Sequence, residues 1–506
     1  MASELIKTKE ELQEIADSLS RDLEGDEQTI SRYVRVNYDV VNFLNGKRSD
    51  FTHANTNVNK EQLVIGIYTN TAIDDLNRAN AKEVCVARDL QDHRFNFNLK
   101  GIPLPTNEQV FFESMPANPR IFDEELREFT ATHPNTRVGR YFTVDQRVIV
   151  NSRGGKVIQS IPFLGVSYSQ GYDPIPTERD LCAVCTSDED VRKLPSLIRF
   201  LADPTPDRRI KGAGSFSEAF HNLHRISPLR FGSLEEAGIP VTQLYDIVVL
   251  TGVPVHEIVG HHFEEPIRYL DFGETGTFRV SQEIKNKDIV LEDDPHRRVE
   301  DFRVLGFNHV DAYGRIRRKR THIAGGEVRE FLGSEYADPD KLEKYTGLKK
   351  SPFVGSANQS TQGWFPQPRM SCTVLDGKTE DFDIDGMLAI VSHEGDTDPL
   401  RKTYLVKAKE CYIIRGGEPR RVVPLQVTGG INQALSSMAL LDDWSYQTGM
   451  CSKPEPIYYP QSRGIDSVPV SQFARSQLWR GQQVYPLPIS DQHLKILQRK
   501  QGSGHI

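Results

Sequence analysis

Two histidines five residues apart, His256 and His261, constrain this chain more than any other feature. They sit in Tyr245–Pro266, YDIVVLTGVPVHEIVGHHFEEP. Ile247–Leu250 reads as an apolar strand and Thr251-Gly252 as a turn. Pro254 stands near a helix start, where its missing N–H costs little. A helix carrying His256, Glu257, Gly260, His261 and His262 then runs to about Glu265, and Pro266 limits its extension. An α-helix turns by about 100° per residue, so side chains five apart point about 140° away from each other. Such a pair cannot share a ligand on a regular helix, but it faces one way across a π-bulge. Gly260 supplies backbone freedom beside His261. The spacing therefore predicts a bulge or break near Gly260.

The residue types point to metal chemistry. A His-Glu dipeptide with a second histidine downstream offers two imidazoles and a carboxylate base. Zinc favours nitrogen and sulfur donors, and a catalytic zinc keeps one position for water. The ion lowers the pKa of that water from about 15.7 to about 7. Glu257 could then accept the proton and pass it to a leaving group. Spacing alone leaves structural histidines as the competing reading. His262 is an alternative ligand, read here as a supporting or surface residue. Ser392-His393-Glu394-Gly395-Asp396 repeats the His-Glu pair with no second histidine nearby, and reads as a polar turn that could instead line the site. His296 and His309 are further candidate ligands.

Charge and composition remove other classes. The net charge of -8 opposes general nucleic-acid affinity, which needs a basic surface to displace phosphate counterions. One basic stretch, Arg315–Arg320 (RIRRKR), reads as a solvated turn or strand. No run approaches the roughly 20 apolar residues needed to cross a bilayer. The N-terminus has the spacing of an amphipathic helix and lacks a signal-peptide core, so a cytoplasmic location is expected. The 6 cysteines are scattered and do not form a disulfide framework. Cys182 and Cys185 lie in an alternating apolar stretch and read as packed thiols.

The length suggests two domains of an α+β protein. A mixed N-terminal α/β domain spans 1–225, and a β-rich C-terminal domain spans 226–506 and carries the metal-binding helix. Strands are expected over Tyr33–Phe43, Glu61–Tyr68, Glu83–Arg88 and Val304–His309. Tyr141–Asn151 and Lys156–Tyr168 form a hairpin around Arg153-Gly154-Gly155. Thr403–Ile414 and Arg420–Val427 form another around Gly416-Gly417. Asp188–Asp203 reads as a helix, and 204–214 as a hinge.

The motif HEIVGHHFEE resembles the hallmark H-E-x-x-x-H of the TldD/PmbA, or modulator-of-gyrase, family of metallopeptidases. Further segments follow in the family's order from about 240 to 490. They are FPQPRMSCT (Phe365–Thr373), ECYIIRGG (Glu410–Gly417), Met450-Cys451-Ser452-Lys453 and Val468-Pro469-Val470. The last but one resembles the Cys-Gly-Lys that carries the family's third zinc ligand, which implies that Cys451 joins His256 and His261 on the metal. A thiolate ligand implies that binding weakens in acid. The resemblance implies a zinc metallopeptidase working as a dimer, with itself or with a paralogous subunit. Some family members lack the metal motif; this chain keeps it, which implies a catalytic subunit. Departures flank the metal: Cys451-Ser452-Lys453-Pro454-Glu455-Pro456 replaces a Gly-rich stretch, and Ser471-Gln472-Phe473 a Gly-x-Gly. They leave two substrate readings, a peptide or a small amide. A non-catalytic partner is a third reading. An extended peptide could add to a sheet edge near the site, for which 371–374 and 411–415 are the candidates.

Overall fold

The computed structural model describes residues 6–21, 23, 29–49, 61–68, 104–170, 177–201, 215–216, 220, 244–264, 278–332, 343–344, 347, 357–358, 367–391, 394–398, 401–454 and 465–487. The expected strand at 83–88, the hinge at 204–214, His393 and the 225/226 boundary lie outside them.

A helix, α1 (Lys9–Arg21), comes first and buries Leu12 and Ala16. Next are β1 (Thr29–Leu44), β2 (Lys47–Ser49), β3 (Glu61–Tyr68) and β4 (Glu108–Phe112). After α2 (Asp123–Thr132) follow β5 (Thr136–Asn151), β6 (Lys156–Gln170) and β7 (Thr177–Val184). These strands make one 7-stranded sheet. The β5–β6 hairpin turns where expected, with Gly154 at φ +83°. Positive φ costs glycine nothing, having no Cβ. The expected helix from 188 shortens to α3 (Asp188–Lys193), because Pro195 removes a helical donor and Leu194–Phe200 tightens to a 3-10 turn. Ser187 and Asp190 close its start as a reciprocal capping box.

The second sheet holds 13 strands. It opens with β8 (Leu244–Val249) and β9 (Ile289–Asp293), then a ribbon of β10 (Arg298–Val299) and β11 (Phe302–Arg303) stands apart. After β12 (Arg320–Ala324) and β13 (Glu327–Val328) comes a second ribbon, β14 (Ala357–Asn358) and β15 (Gln367–Pro368). The rest are β16 (Cys372–Gly377), β17 (Leu388–Val391), β18 (Glu394–Asp398), β19 (Thr403–Ala408), β20 (Glu410–Arg415), β21 (Glu418–Val422), β22 (Leu425–Gly430), β23 (Ala439–Pro454) and β24 (Ile465–Pro486). β24 binds the sheet together, pairing with β8, β16, β22 and β23 along its length. The fold is mixed and strand-rich. The sheets share a core in which Val34, Phe142 and Leu164 of the first pack with Val374, Tyr446 and Phe473 of the second. Tyr446 donates to the Cys182 carbonyl, and Arg179 pairs with Glu410.

Three expectations are corrected. Arg315, Arg317 and Arg320 are buried, not solvated. Arg315 pairs with Asp311, Arg320 with Glu330, and Arg317 donates to the Arg369 carbonyl at 2.9 Å. Composition showed the positive charges but not the distant groups that receive them. Segments 371–374 and 411–415 are not edges: β16 lies between β9 and β24, and β20 between β17 and β21. Val304–His309 is not a strand, since Gly306 at φ +87° turns the chain, and Val304 makes only a single bridge, to Ala183.

Candidate metal centre

The site begins where β8 ends against β24. A Cβ on Gly252 would lie 2.7 Å from that of Gln472, so only glycine lets the chain leave the sheet here. Thr251 Oγ1 accepts from Val253 N–H at 3.3 Å as the helix opens, with Pro254 in the first turn. The helix is α over Val253–Val255, π over His256–Gly260, and α again over His261–Glu264. His261 N–H reaches the His256 carbonyl, five residues back. That wider turn brings the two imidazoles to a ring separation of 5.0 Å, as the spacing required. Gly260 acts through room and not through backbone sign. A Cβ there would meet Met370 Sδ at 3.0 Å and His256 Nδ1 at 3.3 Å.

Cys451 arrives from β23, 190 residues later, with Sγ 3.8 Å from His261 Nε2. Donor atoms of His256, Glu257, His261 and Cys451 all lie within 4.8 Å of one another, the one such group among the described residues. Zinc–sulfur and zinc–nitrogen bonds of about 2.3 and 2.05 Å at a tetrahedral angle would separate S and N by roughly 3.6 Å, close to the distance seen. His256 Nε2 is buried without a sound hydrogen bond among the described residues, its neighbour being the Cys451 sulfur. A buried ring nitrogen in that position costs free energy unless something binds it. The donor set and its orphaned nitrogen fit a zinc-like ion.

Each ring is oriented from behind. His256 Nδ1 is 2.7 Å from Thr373 Oγ1, and that hydroxyl donates to Met370 Sδ at 3.2 Å. Nδ1 is thus engaged by Thr373, and Nε2 is the nitrogen that faces Cys451. His261 Nδ1 is 3.0 Å from Oε2 of Glu264, a fully buried carboxylate whose other oxygen accepts from Met370 N–H. His261 Nε2 is 3.0 Å from Glu257 Oε2. Exposure is graded: His256 is 0% exposed, Cys451 2%, and the Glu257 side chain 22%. Solvent therefore reaches the group at Glu257.

Electrostatics separate Cys451 from the other thiols. Burial pushes Cys182 and Cys372 up to about 12, as expected for packed thiols. Burial acts the same way on Cys451, but the charges of His261, Arg369 and His256 outweigh it and bring the thiol down to about 6. Burial would raise Glu257, yet His261 holds it below the ordinary carboxylate range.

Among the described residues, the other candidate ligands, His262, His296 and His309, are not part of the group. His262 is buried, not at the surface, and its Nε2 is 3.0 Å from Thr397 Oγ1 of β18. His296 and His309 stand in a separate aromatic cluster with Phe307. Glu394–Asp398 is strand β18 and not a turn. Glu394 pairs with Lys409 at 2.7 Å, and Gly395 lies against Glu257, where an added Cβ would fall 2.6 Å from the Glu257 Cβ. Sequence reasoning missed Glu264, Thr373 and Arg369 as partners of the ligands. Only Glu264 carried a local signal, being three residues beyond His261 on one helix face.

Residues 250–464 match the PmbA/TldA metallopeptidase C-terminal domain. A metalloprotease of Archaeoglobus fulgidus is 26% identical over 212 residues, which cover 40% of this chain and 46% of the relative. The match thus spans less than half of that relative's length. A proposed modulator of DNA gyrase from Thermotoga maritima superposes with a TM-score of 0.54 at 14% identity, covering 94% of this chain and 100% of that one. TldE from Thermococcus kodakarensis gives 0.50 at 11% identity, covering 94% and 99%. At those identities the likeness is one of fold.

Proposed function

From the premise that the chain belongs to the TldD/PmbA family, we propose that it is a catalytic, TldD-like subunit that hydrolyses peptide bonds at a zinc held by His256, His261 and Cys451. The observation that supports this most is the gathering of two imidazoles, a thiol brought down to about 6 and a half-open carboxylate within 4.8 Å. Two nitrogens and one sulfur suit zinc and leave a fourth position. Bound there, zinc would acidify a water and polarise a carbonyl. Glu257, held ionised and facing solvent, accepts the proton of that water and returns it to the departing amine. Glu264 and Thr373 fix the two rings, so that the ligands need not reorganise during turnover.

A peptide substrate is favoured over a small amide by β18. That strand pairs only with β19 among the described residues, and Gly395 brings its backbone against Glu257. An extended peptide adding to its open edge would run past the base by main-chain hydrogen bonds alone. We place the subunit in a dimer, with a second copy or a paralogue. No helix among the described residues is long and apolar enough to cross a membrane.

The test is Glu257→Gln, assayed on unstructured peptides and on small amides. The expected result is loss of peptide turnover with zinc content and oligomeric state retained. Full activity in the variant would remove the base. Turnover of small amides alone would replace the peptide by the second substrate reading. No turnover by the parent protein, with assembly intact, would favour the non-catalytic partner.

A further inference from the structure

The segment Arg369–Thr373, just before and into β16, touches Cys451 and His256 directly and reaches His261 through Glu264. Arg369 Nη1 donates to Cys451 Sγ at 3.3 Å. Met370 N–H donates to Glu264, the carboxylate behind His261. Ser371 and Cys372 N–H both donate to Asp293 Oδ1, at 2.7 and 3.1 Å. Thr373 meets His256. The Arg369 carbonyl is itself held by Arg317. All five residues are buried, and the Arg369 side chain is among the largest completely enclosed in the chain.

A guanidinium does not lose its proton in a protein, and burying it is unfavourable unless an anion and good hydrogen bonds compensate. The sulfur beside it is the ligand of the proposed centre. His261, its neighbour on the proposed metal, is treated in the opposite sense. His261 is backed by a carboxylate, which strengthens an imidazole as a donor, whereas the sulfur receives a cationic N–H, which withdraws charge from it. We propose that Arg369 is a positioning residue for the Cys451 ligand, and that its hydrogen bond persists in the metal-loaded protein and draws electron density from the thiolate. The sulfur is then a weaker donor, and the metal keeps more of its Lewis acidity for substrate. This rests on the zinc reading above and adds a ligand-tuning role that the ligand set itself does not imply.

The experiment uses the full-length protein loaded with Co²⁺ in place of zinc, and reads the sulfur-to-cobalt charge-transfer absorption in the near ultraviolet. A hydrogen bond lowers the energy of the sulfur lone pair, so its removal shifts that band to longer wavelength. Arg369→Gln is expected to bind cobalt with the band red-shifted. Arg369→Lys, which keeps a cationic donor, is expected to return it toward the wild-type position. Thermal melts and cobalt stoichiometry identify any variant that fails to fold; Arg369→Met, which also lacks a cationic donor and is expected to red-shift the band, carries the test if the glutamine variant fails. Wild-type protein showing no thiolate band would remove the metal centre and this inference with it. A wild-type band that Arg369→Gln, or Arg369→Met in its place, leaves unmoved would overturn the inference alone.

Discussion

Cys451 and His256 approach the same point by different chemical routes. The thiol is brought down by the charges around it, and the imidazole is left with a buried nitrogen and no sound hydrogen bond. The sign of the pH effect follows. A thiol whose pKa in the fold is depressed to about 6 is thiolate above that pH and competes with protons for zinc below it. Apparent zinc affinity, measured by chelator competition, is therefore expected to fall steeply as pH drops through about 6. An affinity flat down to pH 5 would remove the thiolate from the ligand set. Gly395 makes a second prediction at this scale. Gly395→Ala places a Cβ where Glu257 stands, so peptide turnover is expected to fall by about 100-fold, the usual worth of a positioned base, with zinc content unchanged. At the scale of residues, His256, Glu257 and His261 were legible because they share one short segment with a spacing that has few structural solutions. Cys451 was visible only through the family resemblance, since nothing local in Met450-Cys451-Ser452-Lys453 reports a partner 190 residues away.

The π-turn at His256–Gly260 is the element on which the site depends. Its widened turn sets two histidines side by side that an α-helix would separate by about 140°. Gly260→Ala should press a methyl on Met370 Sδ and His256 Nδ1. Overpacking of this kind costs about 1–3 kcal/mol, read as a lowered denaturation midpoint, and a weakened metal site should accompany it. Unchanged stability and zinc content would mean that the turn tolerates a side chain. The bulge could be anticipated because it follows from one distance along the chain. Hairpins such as β5–β6 were legible for the same reason, their turn chemistry being local. Sheet edges were not. Segments 371–374 and 411–415 were the candidate edges, yet β16 and β20 are flanked on both sides. β18, which pairs only with β19 among the described residues, reads in sequence as a polar turn. Which strand lacks a neighbour is decided by pairings far apart in sequence.

Among the described residues, the two sheets are tied by a shared core and by an enclosed ion pair, Arg179 of β7 with Glu410 of β20. Tyr412 O–H and Glu178 N–H also donate to Glu410. Removing one partner of such a pair leaves a buried charge behind and costs about 3–5 kcal/mol. Glu410→Gln is expected to lower unfolding stability by that amount in urea titration, with peptide specificity unaltered. A change under 1 kcal/mol would show that the pair is incidental to the joining of the sheets. The strand-rich character was legible from alternation. The buried arginines of 315–320 were not, because a charge count records the cations and not the enclosed Asp311 and the Glu330 that receive them.

Metal analysis of the purified full-length protein, beside His256→Ala and Cys451→Ala, tests the proposed centre most directly. The expected result is one tightly held zinc per chain in the wild type, lost from both variants while their folds persist by circular dichroism. Wild-type protein without bound metal, or a Cys451→Ala variant that holds zinc as tightly as the parent, would contradict it.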